Sequence, residues 1–259
     1  MSMTRSLAAV YGTCMLSVML RVQLNIVGGY LYLDSISPSN GHKIEAGHAS
    51  TIPQKVQERY LSLVKQFIEQ GLVDFISFLK LAVTKEIGYL SLKELITLDN
   101  LTSVLDHIRE RVECGVDKPT QSLYPYLLTS EQVPDISSVP NSEDELLEKL
   151  ISETRDIVES DDFHTVLKES LDRGYHCLLD GVAEHYKQLL PPGEHKSGIH
   201  NVSIAMAKLI PVVNSLTLRV CGDAPNQFIQ ELLLMEELKQ LAANVYEAFS
   251  QDPSEKTTI

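Results

Sequence analysis

The stretch SLAAVYGTCMLSVMLRVQLNIVGGYLYLD (6–34) decides how the chain is read, because it is apolar almost throughout and directly follows Arg5. It admits three readings. A secretion signal needs a basic start, a short apolar core and a small-residue cleavage site. Arg5 and residues 7–20 supply the first two, but RVQLNIV (21–27) offers no A-x-A-like pattern and begins with a charge. A transmembrane helix needs about 20 mostly apolar residues without central charges. Arg21, Gln23 and Asn25 fall near the middle of the longest window. An arginine at mid-bilayer costs about 2.5–3.5 kcal/mol even on the lenient insertion scale. The third reading is a helix that is hydrophobic nearly all round and lies in the middle of a helical protein. Arg21 and Asn25 are four apart and share a face, so they can reach a common partner or the surface together. Gly28-Gly29 would each cost about 1 kcal/mol against alanine inside a helix. A glycine pair placed there predicts a second helix too close for side chains. We read the stretch as a buried central helix.

The rest of the composition agrees with a soluble chain. With 259 residues and 44% hydrophobic content, one substantial core is possible. The 22 basic against 35 acidic residues give a net charge of −13, with no run of Lys or Arg. That disfavours a phosphate-neutralising surface for nucleic acid and a general attraction to anionic lipid. Cys14, Cys114, Cys177 and Cys221 form no CxxC pair. Three of them, Cys14, Cys177 and Cys221, sit in apolar helical surroundings where a thiol acts as a small buried hydrophobe. This usage suits a reducing, cytosol-facing setting.

Helical periodicity continues along the chain. Leu61, Val64, Phe67, Ile68, Leu72, Phe75, Ile76, Leu79 and Val83 recur at threes and fours, which predicts one long amphipathic helix over 53–87 after a polar loop at 41–50. A further helix is expected over 98–112. Pro119, Pro125, Pro134 and Pro140 then punctuate a long loop at about 115–142, mobile in part, between two helical halves. Ser142 with Glu145 resembles a capping box for a helix to about 159. Ser160 or Asp161 caps the next, which runs to 190 and stops at Pro191-Pro192-Gly193. Residues 202–220 should form a helix kinked at Pro211. Pro225 suits a first helical position, and residues 228–250 supply one or two final helices. No internal repeat and no sustained β-alternation appear. The expected fold is all-α, an elongated helical bundle around a long buried central helix, in a single domain over 1–259.

Candidate chemistry is sparse. His176, Asp180 and Glu184 lie at i, i+4, i+8 on one helix face, a pattern that metal sites use. Asp172 and Lys187 nearby make a solvated stripe of ion pairs the simpler account. Glu159, Asp161, Asp162 and His164 gather in ESDDFHT, but helix N-termini favour aspartate through free amides and the dipole. No phosphate loop, nucleophile elbow or zinc-type spacing occurs, and neither metal nor cofactor is expected. Lys208 stands apart as the one charge within VSIAMAKLIPVVNSL (202–216). Either its stem covers apolar surface while the ammonium reaches water, or it marks the rim of a hydrophobic groove, packing on an incoming helix and meeting a carboxylate.

Four blocks carry a family resemblance: YGTCMLSVMLRVQLNIVGGYLYLD (11–34), ETRDIVESDDFHTVL (153–167), AKLIPVVN (207–214) and LAANVYEAFS (241–250). In order and spacing they resemble the family of vertebrate-type peroxisomal biogenesis factor 3, over essentially the whole chain except about 113–143. The resemblance implies a non-enzymatic docking factor whose helical domain faces the cytosol at the peroxisomal membrane. It implies as partner peroxisomal biogenesis factor 19, the import receptor for peroxisomal membrane proteins, whose N-terminal amphipathic helix lies in a hydrophobic groove. Against the family pattern the chain is expected to lack the membrane anchor and the helical segment that follows it. Of the receptor-contacting positions, the match places Lys208, with Ile204, Ala205 and Leu209 expected to line or support the groove. The C-terminal EKTTI is not an SKL-type address. Two rival readings are a generic helical peptide-binding scaffold and an enzyme using His176, Asp180 and Glu184 on a metal.

Overall fold

In the computed structural model, which describes residues 2–36, 52–114, 123–128, 142–190 and 196–251, the opening stretch is one unbroken helix, α1 (Ser2–Ile36). Leu7, Val10, Tyr11, Cys14, Met15, Val18 and Ile26 along it have no exposed surface. Each large apolar side chain so enclosed contributes about 1.5–3 kcal/mol relative to exposure. Around α1 pack α2 (Gln54–Leu61), α3 (Leu63–Gln66), α4 (Leu72–Ile87), α7 (Ser142–Val158), α8 (Asp161–Gln188), α9 (Met206–Ser215), α10 (Thr217–Cys221), α11 (Gln227–Leu233) and α12 (Glu236–Ser250). Outside this ring, α5 (Leu98–Glu113) lies against α4 and α8, and α6 (Tyr124–Leu127) against α4. The result is an elongated, almost entirely helical bundle around a central rod.

The glycine pair behaves as the sequence suggested. A Cβ on Gly29 would stand 2.7 Å from the backbone carbonyl carbon of Phe249 on α12. At Gly28 the nearest atom, on the Tyr246 ring, would be 3.5 Å away, an ordinary contact. Only Gly29 is demanded by close approach. Asn25 Nδ2 donates back to the Arg21 carbonyl at 2.7 Å, and the Arg21 Nε is enclosed without a hydrogen-bond partner. Gln23, fully buried, donates to the Tyr60 carbonyl at 3.0 Å and so ties α1 to α2.

Several elements differ from the periodicity reading. The long helix over 53–87 is divided by a break at Ser62 and a π-helical turn, Phe67–Gly71, where a Cβ on Gly71 would sit 2.0 Å from the Tyr126 carbonyl oxygen. The wide turn makes room for α6, whose flanking Leu123 and own Leu127 are buried. The remainder of the segment at 115–141, the loop at 41–50, the stop at 191–193 and the C-terminal EKTTI lie outside the described residues. Residues 202–220 are not one helix kinked at Pro211. They form a short strand, β2 (Ser203–Ala205), then α9, which passes through Pro211 and ends at Leu216, then α10. The strand pairs antiparallel with β1 (Leu95–Thr97), in the register Leu95–Ala205, Ile96–Ile204, Thr97–Ser203. Pro225 is not a first helical residue. Asn226 caps α11 instead, its Oδ1 accepting from the Ile229 amide at 3.0 Å. Cys14 and Cys177 are withdrawn from solvent, whereas Cys221 is exposed.

Candidate functional site

At the end of the bundle where α1 begins, Ser2 and Met3 meet the last turn of α4, the residues that follow it, α5 and the face of α9. Ile87, Leu90, Leu92, Leu101, Met206, Leu209, Ile210 and Val213 complete an apolar hollow of about 320 Å³. Its walls are fixed by backbone hydrogen bonds. The first turn of any helix leaves amides without intrahelical partners. In α9 the Met206 amide donates to the Glu94 carbonyl and the Ala207 amide to the Leu92 carbonyl, both at 2.9 Å. The chain after α4 therefore caps α9 with its own carbonyls and lies beside it. From the other side the Tyr186 hydroxyl donates to the Ile96 carbonyl at 2.7 Å and anchors the ribbon to α8.

The four residues singled out in sequence fall in one place with different exposures. Leu209 is buried and lines the hollow. Lys208, next to it in the first turn of α9, is exposed. Ile204 is buried opposite Ile96 and Ala205 is half-buried opposite Leu95, so both belong to the ribbon that supports the wall and not to the lining. Sequence reasoning missed the facing turn. Tyr89, Leu92 and Leu95 are 75%, 60% and 63% exposed, a run of large apolar side chains held in water beside the hollow. Exposed apolar groups gathered at a groove mark interaction surfaces, whereas single ones do not. Their signal was present as a broken period after Ile87, without a partner segment to interpret it.

Comparison with known proteins accords with this geometry. The Peroxin-3 family profile matches residues 1–248. Peroxisomal biogenesis factor 3 of Rattus norvegicus is 42% identical over 261 residues, covering 96% of this chain and 68% of the relative. That of Homo sapiens is 42% identical over 271 residues, covering 96% and 69%. The chain belongs to the Peroxin-3 family. Peroxisome biogenesis protein 3-1 of Arabidopsis thaliana is a more distant relative, 24% identical over 251 residues.

Elsewhere in this Peroxin-3 chain the other candidates resolve into structure. His176, Asp180 and Glu184 line a larger, open and polar cleft of about 920 Å³ between α8, α10 and α11, together with Arg173 and Arg219. Glu184 is committed to an ion pair with Arg219, which lowers its pKa. Among the described residues no group of three His, Cys, Asp or Glu side chains is placed to hold a metal. Size alone would favour this cleft, but its lining charges answer one another, so we place the site at the smaller apolar hollow. In ESDDFHT, the Ser160 Oγ accepts from the Phe163 amide at 3.2 Å, capping α8. The His164 ring hydrogen-bonds the Tyr124 hydroxyl of α6.

A buried polar network pins α5 and α8 to the middle of α1. The Tyr11 hydroxyl donates to Glu113 Oε1 at 2.8 Å and accepts from the Tyr175 hydroxyl at 3.1 Å. Arg109 grips Glu113 through Nε and a terminal nitrogen, at 2.9 and 3.1 Å, and reaches Asp172 at 2.6 Å. Burial pushes the Tyr11 and Tyr175 hydroxyls to higher pKa, and the neighbouring Glu113 charge adds to that. Burial works against the Arg109 charge, but its bonds to Glu113 and Asp172 win and raise its pKa. For Asp172, burial would raise the pKa, and the bonds from Arg109 and Lys168 more than offset it, leaving it lowered. These groups are enclosed and mutually satisfied, which suits a clamp and not a reacting centre.

Proposed function

We propose that this chain is a non-enzymatic docking factor of peroxisome biogenesis, and that the hollow beside Lys208 receives the N-terminal amphipathic helix of peroxisomal biogenesis factor 19. One observation carries the reading: an apolar groove, open at the surface, flanked by an exposed lysine without an ion-pair or hydrogen-bond partner among the described residues. An amphipathic helix lays its apolar face into such a groove and keeps its polar face wet. Docking delivers newly made membrane proteins to the peroxisome; no bond is made or broken. The chain acts as a single cytosol-facing domain at the peroxisomal membrane. Although α1 is long and apolar enough to cross a bilayer, it serves as the core of the bundle, so attachment is supplied by something other than α1.

Lys208→Glu tests the groove. The side chain is exposed, so the fold should hold, and affinity for a synthetic receptor helix should drop by about three- to tenfold, as expected for an interfacial charge reversal. Isothermal titration against the full chain reads this directly; equal affinity for the variant removes Lys208 from the site. A generic peptide-binding scaffold would take unrelated amphipathic helices equally well, which the same titration distinguishes.

A further inference from the structure

We infer that the groove has a second cationic arm, Lys93, and that the occupant it selects is an amphipathic helix carrying carboxylates on both flanks of its apolar ridge. This rests on the docking reading above and specifies the partner's chemistry. Lys93 follows Leu92, which lines the hollow, and Lys208 precedes Leu209, which also lines it. The bond from the Ala207 amide to the Leu92 carbonyl holds the two segments side by side, so the lysines flank one opening from two different walls. Both are exposed, and neither ammonium has an ion-pair or hydrogen-bond partner among the described residues.

Charge placement argues for a ligand. The chain carries a net −13, yet these two cations stand beside its apolar hollow. Lys208 occupies the first turn of α9, where the helix dipole disfavours a positive charge. The adjacent acid, Glu94, turns its carboxylate back to the Ser91 amide at 3.2 Å and does not answer either lysine. Between the arms, Leu92 and Tyr89 offer exposed apolar surface continuous with the hollow. A helix seated there with a Leu- or Phe-rich ridge would place its flanking positions, three or four residues apart, over both ammonium groups. Cations arranged this way set orientation and on-rate more than raw affinity.

The test uses fluorescence anisotropy of a labelled synthetic receptor N-terminal helix titrated with the full chain at low and high salt. Lys93→Glu should weaken binding by about three- to tenfold at low salt, with the difference shrinking at high salt. Lys239→Glu, a change of equal charge on α12, should leave binding within about twofold. A peptide with its acidic residues changed to lysine should recover affinity for the Lys93→Glu, Lys208→Glu pair. If Lys93→Glu binds like the unaltered chain while Lys208→Glu and Leu209→Ala weaken binding, the second arm is refuted and the groove stands. If Lys239→Glu costs as much as Lys93→Glu, net charge is responsible and the arm is likewise refuted. No binding by the unaltered chain would overturn both.

Discussion

At the scale of single residues, the most informative group is the carboxylate of Asp172. Its pKa lies below the ordinary 3.8 because Arg109 and Lys168 outweigh the effect of burial. A depressed folded-state pKa means that the stabilisation is complete above the unfolded value and is lost as pH falls through the folded one. Asp172→Asn should therefore cost about 1 kcal/mol at neutral pH, discounted because solvent reaches a quarter of the side chain. That difference should close as the pH drops below about 3.8. Urea midpoints for both proteins across this range check it; a gap that stayed constant into strong acid would mean that the ion pair is not the source. None of this clamp was legible beforehand. Tyr11, Arg109, Glu113 and Asp172 are far apart in sequence, and each has an unremarkable local pattern. Lys208 was legible because a lone charge in a greasy segment stands out, whereas Lys93, in a polar turn, does not.

Among elements, α1 was read correctly from composition alone, since Arg21, Gln23 and Asn25 fit a protein interior better than a bilayer. Its glycine pair makes a graded prediction. Gly28→Ala meets only van der Waals contact and should be neutral or stabilising by up to about 1 kcal/mol through helix propensity. Gly29→Ala presses on the α12 backbone and should cost about 1–3 kcal/mol. Gly29→Glu adds an unpaired charge there and should unfold the domain, a loss above about 4 kcal/mol. Thermal melts by circular dichroism rank the three, and an unchanged melt for Gly29→Glu would show that the two helices do not meet there. The misread elements share one cause: tertiary contacts too local or too distant for periodicity to register. The π turn at Phe67–Gly71 exists because α6 presses its carbonyl on Gly71. The ribbon of β1 and β2 has three residues a side, too few to show alternation, and the two strands are joined by contact and not by sequence.

At the scale of the whole molecule, most helices lean on one rod about 52 Å long, taking 1.5 Å per residue over its 35 residues. Layers that share a support cannot melt separately. Urea unfolding followed by far-UV circular dichroism and by the fluorescence of the ten tyrosines should give one coincident transition. Two separated steps would instead indicate independent halves and sink the single-domain reading. The rod also reaches the groove, because Ser2 and Met3 form part of its lining. Inherited changes along this helix will therefore show themselves in cells as scarcity of the protein, through faster clearance of a loosened fold. Variants that are abundant yet unable to recruit their partner will cluster on the outer turn after α4 and on the first turn of α9.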